Sequence, residues 1–276
     1  MINRKFMFSV LVVGFLASSC GSSNGPRTVT STTTTSTTEV GSTTSSTTTT
    51  QPGVVPAIGL KSYVTSVHSP SLVANISYPV LGGMASGQIQ QNINSAISTA
   101  VAGYVSSFKA QLEGQSATTL PPGGGNGVTQ SQISGSFIKE LVDSQYVSFK
   151  FLITTYAAGA ASPTTEAACL TFDLSNGQLL TLSDLFSGSN YLATLATMAR
   201  TAISTKLGQG GDQTLINSGT QPNAVNFSNW NLTANGLELT FSQGLVAAAA
   251  SGVVSVILPY SGLSSLAKSP GPLTNP

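Results

Sequence analysis

The chain has 276 residues, a formal net charge of +1 and only 7% charged residues. Globular proteins average about 25% charged residues, so the surface of this one must consist largely of Ser, Thr, Asn, Gln and Gly. The chain has no cluster of Lys and Arg interleaved with aromatic residues, and we therefore expect no nucleic-acid binding.

Residues 1–19 have the features of a bacterial lipoprotein signal peptide. Two basic residues precede an apolar run that ends at Leu16. That run is shorter than the roughly 20 apolar residues that span a membrane. Small residues then lead to Cys20, whose thiol would accept a diacylglycerol group. Ala17 stands where lipoprotein signals usually have Leu, and an ordinary signal peptidase would also accept this stretch.

We therefore expect Cys20 to anchor the protein at the outer face of the cytoplasmic membrane, with secretion as the alternative. Removal of the signal peptide takes away Arg4 and Lys5, which leaves eight basic and nine acidic residues and a net charge near −1. Residues 20–53 are dominated by Ser and Thr and have no apolar periodicity. We expect a disordered tether there.

Residues 54–268 are predicted to form one domain. Alternating patterns predict strands at Tyr63–His68 and Leu72–Tyr78. A helix is predicted over Ser86–Leu112, because apolar residues recur at spacings of three and four. Gly103 interrupts this helix and is expected to mark a close contact with a strand. The polar side chains of the helix, such as those of Gln90, Gln91, Asn94, Ser95 and Ser98, are expected to face water.

A Pro- and Gly-rich surface loop is predicted over Ser116–Gln130, without the Gly-Lys-Ser/Thr sequence of a phosphate-binding loop. Two strands, Ser131–Val142 and Gln145–Tyr156, follow around a turn at Asp143-Ser144. In the second of these strands, apolar residues alternate with other residues, which predicts one core face.

The stretch from Phe172 to Phe186, FDLSNGQLLTLSDLF, is predicted to be a hairpin that leads into a helix. Its first strand ends near Leu174, Asn176-Gly177 forms a two-residue turn, and a second strand covers Leu180–Leu182. Ser183 is expected to cap a short helix with Asp184 in its first turn. The residues expected to be buried are Phe172, Leu174, Leu182, Leu185 and Phe186.

A second helix is predicted over Asn190–Leu207, ended by the glycines that begin at Gly208. Asp212–Asn226 is expected to be irregular. A hairpin joins Trp230–Leu232 to Leu237–Phe241, and a last buried strand covers Val253–Leu258. Residues 269–276 are expected to fray. These elements predict a single α+β domain with a mixed, mostly antiparallel sheet and two amphipathic helices packed on it.

The sequence offers no motif for catalysis, for a metal site or for a cofactor. Glu140 and Asp143 are close in sequence and could form a carboxylate pair for glycoside chemistry, but two acids beside a turn are usually solvated. His68 is the only histidine, and we expect a structural or exposed role for it. Cys169 is expected to be a small buried hydrophobe without a disulfide partner.

Three stretches carry a resemblance to a known family: FDLSNGQLLTLSDLF at 172–186, YAAGAASPTT at 156–165, and the region from Phe227 to Leu266, which contains NG, QG and LPY turns. With YPVLGG at 78–83, they are similar to the extracytoplasmic domain of the anti-sigma factor RsiV and to the secreted mycobacterial MPT immunogenic proteins. The Gly-rich segment lacks the histidine that family members often carry there. We also expect no counterpart here of the separate catalytic domain with which larger relatives deacetylate peptidoglycan.

The resemblance implies a non-catalytic binding or sensing domain whose partner is a protein, such as lysozyme, or a cell-wall polymer. Together with the signal peptide, it predicts an envelope lipoprotein that is not an enzyme. The alternative is a hydrolase that acts on cell-wall glycan. A cluster of acids within one pocket would favour the hydrolase, whereas scattered acids would favour the binding domain.

Overall fold

The computed structural model of the protein describes residues 53–114 and 130–274. The signal peptide, Cys20 and the Ser/Thr-rich tether lie outside these residues, as does nearly all of the predicted loop at 116–130.

The main element is a five-stranded sheet with strand order β1-β2-β3-β4-β5. Its strands are Ala57–His68 (β1), Ser71–Gly82 (β2), Ser131–Val142 (β3), Tyr146–Tyr156 (β4) and Thr164–Asp173 (β5). Only β2 and β3 pair in parallel, and every other pair is antiparallel. The predicted mixed, mostly antiparallel sheet is therefore confirmed.

A second, three-stranded antiparallel sheet consists of Trp230–Thr233 (β6), Gly236–Phe241 (β7) and Val254–Leu258 (β8). The α-helices within the described residues are Gly87–Gly114 (α1), Tyr191–Leu207 (α2), Gln213–Gly219 (α3) and Tyr260–Leu263 (α4). Short 3-10 helices lie at Leu182–Leu185, Gly208–Gly210 and Ala249–Ser251. The result is an α+β fold, as predicted.

The apolar stripe of α1 covers one face of the larger sheet. Its buried residues are Ile93, Ile97, Val101, Tyr104, Val105 and Phe108. Tyr104 contacts Phe151 of β4, with the ring centroids 6.2 Å apart. On the second sheet, Leu237, Leu239 and Phe241 share an apolar cluster with buried residues of α2. The fold therefore has two apolar cores, one beneath each long helix.

Two expectations for α1 are wrong. A Cβ atom at Gly103 would meet nothing within 4 Å, so this glycine does not mark a close contact. Asn94 does not simply face water, because its side chain accepts a hydrogen bond from the backbone N–H of Leu81 and donates one to the carbonyl oxygen of the same residue. These two bonds join α1 to the end of β2.

The hairpin at 172–186 differs from its prediction in three details. Asp173 accepts hydrogen bonds from the N–H and hydroxyl groups of Ser175, which makes the turn longer than two residues. The expected second strand is reduced to one bridge between Phe172 and Leu179. Thr181, not Ser183, is the N-cap of the following 3-10 helix. The five residues expected to be buried are all buried, with Phe172 and Leu185 fully enclosed.

Two further predictions near the C-terminus are wrong. Part of the region expected to be irregular forms α3, because Asp212 caps it by accepting hydrogen bonds from the N–H groups of Thr214 and Leu215. The chain after Lys268 was expected to fray, yet Leu273 is only 2% exposed and belongs to the apolar cluster beneath α2. Strand β1 begins six residues before the predicted Tyr63 and β2 ends four residues after the predicted Tyr78, whereas the other predicted helices and strands agree with the structure to within two residues.

Candidate functional site

A layer of polar side chains lies between the two sheets. Alternation along β4 directs Phe149 and Phe151 toward α1 and directs Ser148 and Lys150 to the opposite face of the sheet. That opposite face contacts the second sheet, where Asn231 of β6 and Glu238 of β7 are buried. The buried polar and charged residues therefore meet at the interface between the sheets.

Lys150 is the centre of this layer and contacts two carboxylates. Its Nζ atom donates hydrogen bonds to Glu238 Oε1 at 2.9 Å and Oε2 at 2.8 Å, and it lies 2.6 Å from Glu140 Oε1. A register shift in the β3–β4 pairing between Lys139 and Leu141 leaves Glu140 without a direct partner on β4. This bulge turns Glu140 toward Lys150, as bulges commonly redirect a side chain. We call these three residues the buried ion centre.

The electrostatics of the buried ion centre keep the side chain of Lys150 charged. Burial alone would lower the pKa of Lys150, but its hydrogen bonds to Glu140 and Glu238 outweigh burial and raise that pKa. The ammonium group therefore stays protonated near neutral pH and cannot act as a base or nucleophile. Cys169 lies opposite Lys150 on β5. Burial raises the pKa of its thiol, and the negative charge of Glu238 raises it further, so the reactive thiolate does not form.

Beside the ion centre, Ser148 joins the two sheets through hydrogen bonds. Its Oγ accepts from Asn231 Nδ2 at 2.8 Å and from the backbone N–H of Leu232 at 3.1 Å. Since both of those groups are donors, the hydroxyl hydrogen of Ser148 is the one donated to Thr171 Oγ1, 2.7 Å away. Almost every polar group here has a partner, and Asn231 Oδ1 is the exception among these side chains.

Most of the other acids stabilise local turns and helix ends. Four aspartates each accept hydrogen bonds from backbone N–H groups within three residues of themselves; they are Asp143, Asp173, Asp184 and Asp212. Asp143 is therefore engaged in its own turn and does not form a pair with Glu140, which instead contacts Lys150. Glu113 forms an exposed pair with Lys109 on α1. His68 is exposed at the end of β1.

Glu166 is the acid whose environment is least favourable to charge. It lies on β5 opposite Ile153, which is 2% exposed. Its side chain has no hydrogen bond or ion pair within the described residues. Burial raises the pKa of this carboxyl to about 7. Near neutral pH a substantial fraction of the molecules therefore has a protonated Glu166, whereas an exposed Glu is ionised there.

One half of the large sheet is left uncovered. The second sheet contacts β3, β4 and β5, and within the described residues no comparable contact joins it to β1 or β2, although Pro79 and Leu81 near the end of β2 are buried. Strand pairing places Val64, Asn75, Ser134 and Ile138 on that side, because Ser134 and Ile138 lie opposite Thr154 and Lys150. We call this surface the open face. Its exposed side chains are Leu60, Ser62, Val64, Ser66, Asn75, Gln132, Ser134, Ser136 and Ile138.

The open face has no charged side chain in this set, and it exposes three aliphatic residues. Leu60 is 67% exposed, Val64 is 69% exposed and Ile138 is 43% exposed. No helix within the described residues is long and apolar enough to cross a membrane. No group of three or more His, Cys, Asp or Glu side chains in the described part of the chain could hold a metal ion.

Sequence reasoning missed both the buried ion centre and the open face. The signal for the ion centre was present in β4, where Lys150 alternates with phenylalanines in a strand that is otherwise apolar, and in Glu238 between two leucines. A charge at such a position is rarely solvated and requires a partner of opposite sign. The open face depends on where the second sheet ends, which no local pattern reveals.

Residues 183–261 match the family described as "Protein of unknown function (DUF3298)". A solved structure of a member of that family from Bacteroides fragilis resembles this fold with a TM-score of 0.56 and 14% identity, and the match covers 79% of this chain and 96% of that chain. A family protein from Pseudomonas aeruginosa gives a TM-score of 0.50 with 14% identity and the same coverage of 79% and 96%. No curated protein matches the chain in sequence.

Residues 183–261 are thus similar to DUF3298 sequences, and the fold is similar to solved structures of that family. The matched region begins at the 3-10 helix after the hairpin and includes α2 and the whole second sheet. At 14% identity the likeness concerns the fold alone. The finer resemblances to RsiV and to the MPT proteins are not confirmed by these matches.

Proposed function

We propose that this protein is a non-catalytic binding domain of the cell envelope whose ligand is a protein that docks on the open face. The observation that supports this proposal is the uncovered half of a sheet that is otherwise enclosed on both sides. Exposed aliphatic residues that lie close together are typical of surfaces that bind other proteins. Leu60, Val64 and Ile138 meet that description, and the open face has no aromatic ring on which a sugar could stack.

The disposition of the acids supports a binding role over hydrolysis. Glycosidases need two carboxyl groups with different protonation states on either side of an accessible bond. Glu140 and Glu238 are close together, but both contact the same protonated lysine, and Glu238 is only 7% exposed. The four aspartates that cap turns and helices are scattered around the fold. Hydrolysis of cell-wall glycan remains the second hypothesis because two carboxylates do share one site.

The absence of charge on the open face sets an expectation for the binding itself. Binding that depends on surface charge weakens as salt screens it. A ligand held by Leu60, Val64 and Ile138 instead loses apolar surface to the contact, and its affinity should change little with salt. A lipid on Cys20, followed by the Ser/Thr-rich tether, would present this face to envelope partners from the outer side of the membrane.

The test compares a variant of the open face with a variant of equal charge on another surface. Asn75→Arg with Ser134→Arg places two bulky charges at neighbouring positions in the middle of the face. Thr197→Arg with Thr201→Arg adds the same charge to the exposed side of α2. The probes are lysozyme, the partner that the resemblance implies, and purified cell wall, with binding measured at low and high salt.

We expect lysozyme to bind, with at least a tenfold loss for the open-face variant and little change for the α2 variant. Binding to cell wall but not to lysozyme would contradict a protein ligand and indicate a glycan ligand. Release of reducing ends from the wall, lost in Glu238→Gln, would contradict the binding role and support the hydrolase. No binding to either probe would contradict the proposal.

A further inference from the structure

The two sheets have four edges, and three of them form at least one hydrogen bond with a group outside their own sheet pairing within the described residues. The outer edge of β5 is bonded by the backbone of Leu180 and of Gln243, and by Ser242 Oγ. On β6, the N–H of Leu232 donates to Ser148 Oγ. The backbone carbonyl of Ser255 on β8 accepts a hydrogen bond from Lys206.

The fourth edge is β1, and it is open along its length. Within the described residues β1 forms hydrogen bonds with β2 and with no other element. The strand has 12 residues, AIGLKSYVTSVH, which is long for an edge. Natural edge strands usually carry several charges, a proline or a bulge that prevents pairing with another chain. Here Lys61 is the only Lys, Arg, Asp or Glu, and the β1–β2 register is continuous from Ala57 to His68.

We propose that β1 pairs antiparallel with β1 of a second copy of this chain, about a two-fold axis at Ser62, so that two five-stranded sheets form one continuous sheet. The inference is independent of the proposed function and requires no foreign ligand. Antiparallel pairing of identical strands is self-complementary, because a two-fold axis makes each contact twice. The same pairing satisfies the N–H and C=O groups that point outward from β1.

The side chains of β1 favour this register. With the axis at Ser62, Leu60 of each copy lies opposite Val64 of the other, and the open faces of the two copies lie on the same side of the joined sheet. These are the two most exposed large apolar side chains in the described part of the protein, at 67% and 69%. On the other side of the sheet, each Lys61 lies opposite Tyr63, whose ring is a favourable neighbour for an ammonium group. Both cross-strand contacts are of stabilising types.

Neighbouring registers that keep the open faces together are less favourable. An axis at Lys61 places the two ammonium groups directly opposite each other, and like charges in that position destabilise a sheet. An axis at Tyr63 places Leu60 opposite Ser66 and Val64 opposite Ser62, so that each apolar side chain meets a hydroxyl. The charge and the apolar residues of β1 therefore select the same axis.

The first experiment captures the pair with a disulfide. In the full chain carrying Cys20→Ser, Cys169 is the only remaining cysteine, and it is partly buried with a raised thiol pKa. Ser62→Cys places a thiol directly opposite its own copy, where the Cα separation of about 4.5–5.5 Å suits a disulfide. Ser66→Cys is the matched control. Ser66 lies four positions from the axis in each copy, so the two introduced thiols would be roughly 25 Å apart. Both serines are exposed on the open face.

We expect Ser62→Cys to form a disulfide-linked dimer at least ten times faster than Ser66→Cys under mild oxidation. Equal rates for the two variants would contradict the proposed register. Light scattering of the chain with Cys20→Ser should also show dimers that dissociate on dilution, and a monomer at every accessible concentration would overturn the proposal.

The second experiment exchanges charge across the axis. Leu60→Glu should weaken the dimer at least tenfold, because each new carboxylate lies opposite Val64 of the other copy. Leu60→Glu with Val64→Lys should recover it, since every Glu then meets a Lys of its partner. Ile257→Glu changes an exposed apolar residue of β8 to the same charge and should have no effect. Failure of the double variant to recover the dimer, while it remains folded, would exclude this register.

Discussion

Lys150 stabilises the contact between the two sheets only while it is fully paired. Its charge is nearly enclosed, with 10% of the side chain exposed, and so is that of Glu238. Lys150→Ala would leave two carboxylates close together in a poorly solvated place. Removing one partner of a buried ion pair costs about 3–5 kcal/mol. We expect a loss of that size in the free energy of unfolding, measured with urea.

The control for this prediction is the exposed pair on α1. Lys109 and Glu113 are 39% and 52% exposed, so Lys109→Ala should cost about 0.5 kcal/mol or less. A triple variant, Glu140→Gln with Lys150→Met and Glu238→Gln, removes all three charges and should recover most of the loss. If Lys150→Ala were as mild as Lys109→Ala, the buried ion centre would contribute nothing to the fold.

Glu166 makes stability depend on pH in the opposite sense to a salt-bridged acid. Its carboxyl has a pKa of about 7 in the fold against an ordinary value of 4.5. Between those values the folded chain holds a proton that the unfolded chain has released, so stability falls as pH rises from about 4.5 to about 7. Glu166→Gln should remove this loss and raise the free energy of unfolding at pH 8 by roughly 1–2 kcal/mol, allowing for partial exposure.

The measurement is a series of thermal melts from pH 4 to pH 8 on the parent chain and the Gln variant. At pH 4 both side chains are neutral, and the two proteins should melt within a degree or two of each other. A difference between Glu166→Gln and the parent that stays constant over the whole pH range would contradict the assignment.

At the scale of single elements, the hairpin at 172–186 is a structural anchor. Phe172 is fully buried, and Phe172→Ala should cost about 3–5 kcal/mol, as large-to-small core changes do. That is a large share of the roughly 5–15 kcal/mol available to a domain. Asp184 bonds to the N–H and hydroxyl of Thr181 at the exposed start of the 3-10 helix, and Asp184→Ala should cost about 1 kcal/mol. Urea unfolding distinguishes the two losses.

Gly177 tests the turn of the same hairpin. Its φ is 76°, and a Cβ atom there would lie 3.1 Å from Ile89 Cγ2. Gly177→Val should therefore destabilise through backbone strain and through a forced shift of α1. Gly188 also has a positive φ, but a Cβ atom there would meet nothing within 4 Å. Gly188→Val should therefore show the effect of backbone strain alone and cost less. Equal losses for the two would mean that contact with α1 is unimportant.

Elements with strong local patterns could be predicted, and the exceptions have physical causes. The stripe of α1 and the alternation of β4 each result from one dominant burial direction, and both elements were found at nearly the predicted residues. The two-residue turn failed because the side chain of Asp173 bonds to Ser175, and such local bonds compete with regular turn geometry. Helix α3 was missed because its sequence is short and mostly polar, and the main signal for its start is a single capping residue, Asp212.

At the scale of the whole molecule, the sequence could not reveal which surfaces meet. Lys150 and Glu238 are separated by 88 positions, and their pairing requires knowledge of how one sheet lies on the other. The same holds for the open face, which exists only because the second sheet stops short of β1. The fold class was predictable from local patterns, whereas the candidate site depends on contacts between distant segments.

Anchoring at Cys20 is a prediction about the whole chain in its cell. The signal-like segment and the small residues before Cys20 support it. Cys20→Ala should move the protein from the membrane fraction to the medium, as shown by immunoblotting of both fractions. Ser19→Ala preserves a small residue before the cysteine and should leave the protein with the membrane. A parent protein found entirely in the medium would show that ordinary secretion applies.

The single parallel seam between β2 and β3 has a consequence for the order of folding. Every other pairing in the large sheet joins strands that are separated by only a short connection, but the pairing of β2 with β3 aligns Leu72 with Ser131 and must enclose α1 and the segment after it. Closing a long segment costs conformational entropy before the contacts that it allows can stabilise the chain. The hairpin of β1 with β2 and the meander of β3 to β5 should therefore form first and dock last. In pulse-labelled hydrogen exchange, the amides of the seam should be the last of the sheet to gain protection.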